Sequence, residues 1–400
     1  MTKTGLFSNT SLDALKYTAN EGFLPKKTLL ALPEDSWLSI EFNRLSENLP
    51  QLLRDKKFGD AVALLNEKYK TAKIILIPRT ATEKNKLMSI LSILAQAIVF
   101  ENPDKPKKII PAVLAENMSA LAQEMQRYPV MTYSDYILHN WRLVDPTKGF
   151  TLENIEPILT FTDSTDEKWF IKIHVAIEAT VIPALQSMHE ACLLHQIMQK
   201  NPSMNTTENN QLLKKLLDTV SETVKQTTKM LLRMKEHCGY DYFFNILRRY
   251  LASWDEKLGI TFENETETRS YNGASGAQSS ILPALDCGLD IRHNINGMYQ
   301  LMQTFRQYMP KEHLFFILAL DQVSISTRNH ALSKEIAESL NHAIHAIQQF
   351  RFMHRFALVK NYIYTPAAKI GVFESQITGT GGTPISAFLE ERLSTTRAKL

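Results

Sequence analysis

The sequence predicts an all-α fold, and three observations predict it. Only 14 of the 400 residues are glycine, while Leu, Ala, Lys, Glu and Gln are abundant, so helix formers dominate. Apolar residues recur at helical spacing, as in Leu212, Leu213, Leu216, Leu217, Val220 and Val224, which share one stripe. The extended signal is a single short run, Lys73-Ile-Ile-Leu-Ile-Pro78, and one such run does not make a sheet.

The elements follow in order. Residues 1–30 read as an irregular arm. Helical patterns cover 36–55, 57–69, 83–101 and 111–127, with a solvated loop at Asn102-Pro103-Asp104 and the lysines up to Lys108. Another helix begins at Thr132 and closes before Asp145-Pro146, because the residue before proline avoids the α region. Beyond about residue 160 the helices lengthen: 168–200, bent at Pro183, then 209–237 and 240–254. A polar stretch, 263–280, separates these from helices at 281–290, 293–309, 311–319, 333–364 and 384–398.

With 400 residues the chain exceeds one ordinary core, so two packed domains, or one large helical domain with a smaller companion, are expected. The division is 31–160 for the smaller domain and 161–400 for the larger. Composition is that of a soluble globular protein, 44% apolar and 22% charged. Charges of both signs are interspersed around a net +3, with no basic stripe interleaved with aromatics, so nucleic acid is not indicated. Arg392, Arg397 and Lys399 read as a solvated helix end. Cys192, Cys238 and Cys287 lack metal-ligand spacing and fit free thiols in a reducing compartment. The run from Met88 to Phe100 is too short to span a bilayer, and the N-terminus lacks a signal-peptide core. A cytoplasmic protein is expected.

Few of the eleven histidines stand out. His342 and His345, one turn apart, read as a solvated face. His354 has Ile347, Phe350, Ala357 and Leu358 at helical spacing, so it projects from an apolar stripe. It reads either as a core histidine satisfied by a hydrogen bond or as a metal ligand with one nitrogen facing an apolar disc. Arg351 lies one turn before it. Asp286 sits in the apolar run from Ile281 to Cys287 and needs a partner. An Asp–Arg pair there is a structural ion pair or the support of a ligand histidine. Thr378-Gly-Thr-Gly-Gly-Thr383 precedes a helix, and its amides could form an anion site or a mobile lid; it is neither a Walker loop nor a dinucleotide fingerprint. Phe243, Phe244 and Arg248 fall near one helical face. They form a core edge with a snorkelling arginine, or a place for an aromatic amino acid whose carboxylate Arg248 grips.

Taken in order, these segments resemble the indoleamine 2,3-dioxygenase family over most of the chain beyond residue 30. The resemblance is carried by Pro129-Val-Met-Thr-Tyr-Ser-Asp-Tyr136 through His139-Asn-Trp141, by Asp145-Pro and Thr151-Leu-Glu-Asn154, and by Phe243-Phe-Asn-Ile-Leu-Arg248. It continues in Asn272-Gly-Ala-Ser-Gly-Ala-Gln-Ser-Ser280, Tyr308-Met-Pro310, Arg351-Phe-Met-His354 with Lys360-Asn-Tyr-Ile363, and Gly379-Thr-Gly-Gly-Thr383 with Phe388-Leu389 and Arg392-Leu-Ser-Thr-Thr-Arg397.

The resemblance implies a smaller N-terminal helical domain over a large helical haem domain closed by a C-terminal glycine-rich lid. It implies haem b on His354, with Asp286 and Arg351 supporting that ligand. Tyr133, Phe170, Phe243 and Phe244 would line the distal pocket, Arg248 and Thr380 would bind the substrate carboxylate, and Ser275 would lie near a haem propionate. The implied reaction places both atoms of O2 across the indole C2=C3 bond of L-tryptophan to give N-formylkynurenine, in the kynurenine pathway. It needs an electron donor to keep the haem ferrous and no strong side-chain base; a monomer is expected.

Two residues depart from the family pattern. His174 stands where a small residue is common, whereas the related tryptophan 2,3-dioxygenases carry a distal histidine; it either hydrogen-bonds the indole N–H or bound O2, or points away and satisfies a backbone carbonyl. Ala274 stands where glycine is usual, which stiffens the loop. The competing readings are a haem monooxygenase, a dioxygenase for another indole derivative, a non-catalytic O2-binding haem protein and a haem-free interaction protein.

Overall fold

Serine and threonine set the starts of the principal helices in the computed structural model, which describes residues 21–293, 298–325, 332–382 and 384–396. The side chains of Ser36, Thr80, Ser164, Thr206 and Ser333 each accept a hydrogen bond from a backbone N–H of the first turn, supplying a partner those orphan donors lack.

The N-terminal part is built round the helix Ala81–Phe100, whose residues are all buried from Lys86 to Phe100. A helix apolar on every face belongs inside, so the run that is too short for a membrane is the centre of this part. Trp37–Glu47 and Ala112–Met125 pack against it, and Phe58–Thr71 packs on Ala112–Met125. Among the described residues no helix is long and apolar enough to cross a membrane. Residues 1–20 of the expected arm lie outside the described residues; from the rest, Phe23 and Leu24 are buried in the core.

The C-terminal part is a set of long helices. Thr165–Thr180 and Ile182–Lys200 are separate, broken at Val181 with Pro183 in the first turn of the second, where the bend of a single 168–200 helix was expected. Proline's missing N–H suits a first turn better than an interior. Thr207–Leu232 carries the apolar stripe and packs against both Ile182–Lys200 and Lys334–Met353. The helix expected over 240–254 ends at Tyr250; Trp254 instead exchanges backbone hydrogen bonds with Tyr271. One contiguous hydrophobic cluster runs from Phe23 to Tyr362, and a smaller one gathers Val359, Ala367, Ile377 and Ile385 under the last helix, Ile385–Thr395.

Residues 73–78 are not a strand. Leu76 N–H donates to the Asn117 side chain at 2.9 Å, so this backbone is satisfied from a helix rather than a sheet. The strands lie elsewhere and have two or three residues each: Ile109–Ile110 runs parallel to Ile260–Phe262, which pairs antiparallel with Thr268–Arg269, and Trp141–Leu143 pairs with Ile155–Pro157. They are too short for an alternating pattern to reveal.

Among the described residues, helical geometry widens to π-helix at Ser134–Leu138, Phe243–Leu247 and His354–Tyr364. Each contributes to the wall of the same cavity. Insertions of this kind commonly mark functional sites.

Burial holds the His139 and His313 imidazoles neutral, at about 4 and about 3. Unfolded, they take up protons near their ordinary value, 6.5. The unfolded state therefore binds more protons below that value, and stability falls as pH drops from about 6.5 towards 4, by up to about 1.4 kcal/mol per pH unit for each ring. Urea midpoints measured from pH 7 to pH 5 are expected to decrease steeply, and His313→Gln is expected to flatten the slope. A flat wild-type profile contradicts this account.

Candidate active site

The Lys334–Met353 helix gives way to the π-helix at His354, and that change of pitch presents the imidazole to a cavity of about 300 Å³. The ring accepts and donates no hydrogen bond among the described residues. Burial pulls its pKa down to about 4, and the nearby His174 would oppose a second positive charge, so the ring is neutral at physiological pH with a free lone pair.

Behind it lies a buried ion cluster. Asp286, on the helix Ile281–Gly288, accepts from Arg351 at 2.8 and 2.6 Å, from Arg392 at 2.7 Å and from His293 at 3.1 Å. Burial alone would raise its carboxyl; Arg351, His293 and Arg392 outweigh it and hold the group well below the usual carboxylate range. Burial lowers His293 below its ordinary value, against the opposing pull of Asp286. Two guanidiniums therefore face one carboxylate. Both arginines border the cavity, and Arg351 Nε is buried without a partner. Burial and the neighbouring Arg351 lower Arg392 to about 10. Thr396 and Thr395 extend the cluster to Arg351 and His293, so Ile385–Thr395 is moored here. Arg392, expected at a solvated helix end, is 8% exposed because this helix folds back over Asp286; Arg397 and Lys399 lie outside the described residues.

The opposite wall is aromatic. The Phe170 and Phe243 rings stack at 5.5 Å, and His174 packs 4.3 Å from Phe170. His174 Nδ1 is 2.8 Å from the Phe170 carbonyl. A carbonyl only accepts, so Nδ1 carries the proton; burial keeps the ring neutral, at about 4, leaving the lone pair on Nε2. His174 thus both satisfies a backbone carbonyl and lines the cavity. One turn later Glu178 accepts from Tyr133 and Ser279, each at 2.9 Å, while its other oxygen is buried without a partner. Burial raises this carboxyl to about 7 against those two hydrogen bonds. Gln278 links Tyr133 N–H to the Gly273 carbonyl, both at 2.9 Å, and so holds the glycine–serine loop to this wall.

The 378–384 loop closes the third side. Thr378 bridges to Pro384. Arg248 donates to the Thr378 carbonyl, and its Nε is buried without a partner. Thr383 lies outside the described residues.

The fold thus brings Tyr133, Phe170, His174, Phe243, Ser275, Arg351, His354 and Thr380 to one cavity. Asp286 sits behind Arg351. Phe244 turns away and packs on the smaller cluster with Val359 and Ile385, and Arg248 lies 5.9 Å from its ring rather than on the cavity wall. Ala274, the loop position where glycine is usual, also lines the cavity. Sequence reasoning missed Glu178, Gln278, His293 and Arg392; only Glu178 carried a signal, an acid four residues after His174 on one helical face.

The chain as a whole is similar to known proteins. The family model described as indoleamine 2,3-dioxygenase matches residues 12–399. The chain is 25% identical to indoleamine 2,3-dioxygenase 1 of Rattus norvegicus, covering 95% of this chain and 93% of that protein. It is 26% identical to the nanC indoleamine 2,3-dioxygenase of Aspergillus nanangensis over 95% of each chain. It is 28% identical to the acdA indoleamine 2,3-dioxygenase of Aspergillus candidus over 94% of each chain.

Proposed function

Because this chain belongs to the indoleamine 2,3-dioxygenase family of oxidoreductases, we propose that it cleaves the indole ring of L-tryptophan, placing both atoms of O2 across the C2=C3 bond to give N-formylkynurenine. The family is haem-dependent, and the residues present fit a haem. The observation that carries the reading is the His354 ring: half-buried, neutral, without a hydrogen bond among the described residues, and lining a largely apolar cavity. A haem here would be held through its iron by His354. The excess guanidinium charge of Arg351 and Arg392 over Asp286 suits the carboxylates of haem b, and the unpartnered Arg351 Nε awaits an acceptor. Bound there, haem would supply the iron chemistry that activates dioxygen.

The chain's own residues do the rest. Phe170 and Phe243 offer flat faces to an indole. Asp286 holds Arg351, one turn before the ligand, and so fixes the helix that presents His354. Thr380, which lines the cavity, and Arg248, whose Nε is buried without a partner just outside its wall, would receive the amino-acid carboxylate. Apolar walls and that loop exclude water. Residues 31–160 serve as the cap on the distal side, and residues 161–400 hold the haem. The compartment is the cytoplasm, the product feeds the kynurenine pathway, and an external one-electron donor keeps the iron ferrous.

The experiment is the mass of the product formed by reduced, haem-loaded protein from L-tryptophan under ¹⁸O2. Two labelled oxygens in N-formylkynurenine support the proposal. One labelled oxygen makes the protein a monooxygenase, and a stable oxygen complex without product makes it an oxygen binder.

His174 favours a narrower reading of the substrate. Its Nε2 lone pair can accept the indole N–H, so 1-methyltryptophan, which lacks that hydrogen, leaves a buried acceptor unpaired. Discrimination of about tenfold in kcat/KM is expected. In His174→Ala it should shrink towards one. Equal discrimination in both proteins sinks this role.

A further inference from the structure

Ser253 stands between the two loops that cover the cavity. Its hydroxyl donates to the Thr380 carbonyl at 2.7 Å and accepts from Gly273 N–H at 3.0 Å. One hydroxyl therefore joins the 378–384 loop to the glycine–serine loop. Both partners are close to each other already: a Cβ on Gly273 would lie 2.5 Å from the Thr380 carbonyl oxygen and 2.2 Å from that of Leu251, so only glycine allows this approach. Gly382 has φ +75°, and a Cβ there would meet the Ser253 hydroxyl at 3.1 Å.

Ser253 is itself rigidly held. Gln96, 1% exposed and in the middle of Ala81–Phe100, donates to the Ala252 carbonyl at 2.8 Å. Its carbonyl accepts from the Trp254 indole at 2.8 Å. Trp254 also exchanges backbone hydrogen bonds with Tyr271 at 2.9 and 2.8 Å. The residues on both sides of Ser253 are thus gripped by one buried amide from the N-terminal part. A group held this way contributes its hydrogen bonds with little ordering cost.

We propose that Ser253 is the positioning residue that holds the 379–382 loop closed over the cavity and thereby sets how long substrate stays beneath Thr380. The second half of this statement rests on the reading of the cavity as an indole site; the first half does not. Removing the hydroxyl deletes the tether to Thr380 and leaves Gly273 N–H without a partner, while His354, Asp286 and the aromatic wall stay in place.

The test is hydrogen exchange by mass spectrometry on haem-loaded wild type, Ser253→Ala and Ser253→Thr, together with steady-state kinetics on L-tryptophan. In Ser253→Ala, amides of 379–382 are expected to exchange about tenfold faster, the scale of one neutral hydrogen bond, while the Lys334–Met353 helix is unchanged. KM should rise about tenfold with kcat within about twofold. Ser253→Thr, which keeps the hydroxyl, should stay near wild type in the loop. Unchanged loop exchange in Ser253→Ala overturns the tether, as does faster exchange spread evenly over the whole chain. A loosened loop with unaltered KM overturns the link to substrate retention. A loosened loop in a protein whose wild type turns over no indole leaves the tether standing and removes the indole reading instead.

Discussion

Replacing His354 with alanine is expected to abolish the Soret band of the purified protein and bring turnover to background, while leaving the apoprotein folded. Loss of the axial ligand should exceed the roughly 10- to 100-fold that follows loss of an outer partner. The apoprotein is spared because the His354 ring has no hydrogen bond to lose among the described residues. Its stability should change by no more than about 0.5–1 kcal/mol. That combination separates a ligand from a structural histidine, whose removal would orphan a partner and lower the melting temperature. Absorbance at the Soret maximum and a urea titration of the apoprotein decide it. A full Soret band in the variant ends the assignment.

The second large effect is expected at Asp286. Alanine there leaves the buried Arg351 and Arg392 facing each other with no carboxylate between them. Removing one partner of a buried pair costs about 3–5 kcal/mol, because the charge left behind keeps its desolvation penalty. Haem affinity should fall by about 10- to 100-fold as well, since Arg351 anchors the helix that carries His354. The pH dependence follows from the direction of the Asp286 shift. Its folded pKa is depressed, so its contribution is fully present above the ordinary carboxylate range and is lost as pH falls through it. The wild-type minus variant difference should therefore be constant from pH 5 to 8 and shrink in acid. Combining Asp286→Ala with Arg392→Met should restore part of the stability. A single-variant loss under about 1 kcal/mol contradicts this electrostatic account.

The helices were legible because their stripes and caps are local. Leu212 to Val224 announces an amphipathic helix, which Thr206 caps at its start. His342 and His345 are exposed, as a solvated face requires. The family pattern of motifs led to most of the cavity, from Tyr133 to Thr380. What stayed hidden depends on geometry that spacing does not encode. Helical periodicity placed Ala357 and Leu358 on the His354 stripe, yet the π-helix beginning at His354 alters that register. Arg392 looked like an ordinary cation near a helix end; its carboxylate lies 106 positions earlier in the chain. Phe244 and Phe243 are adjacent and chemically alike, and only tertiary packing sends one to the cavity and the other to the smaller core. The single extended run, 73–78, makes no sheet, as expected; one asparagine side chain takes the place of a neighbouring strand at Leu76.

The described residues of 378–396 border one side of the cavity and also join the Asp286 cluster. They are also synthesised after every other residue of the site. A nascent chain can therefore build the helices, the aromatic wall and the His354 face while the pocket still lacks both its cover and Arg392. Cofactor capture is then expected late in the life of the polypeptide, with sealing after it. Cells starved of haem should accumulate a chain that is largely folded, open at this edge and vulnerable to proteases there, with rescue by haem added after synthesis has stopped.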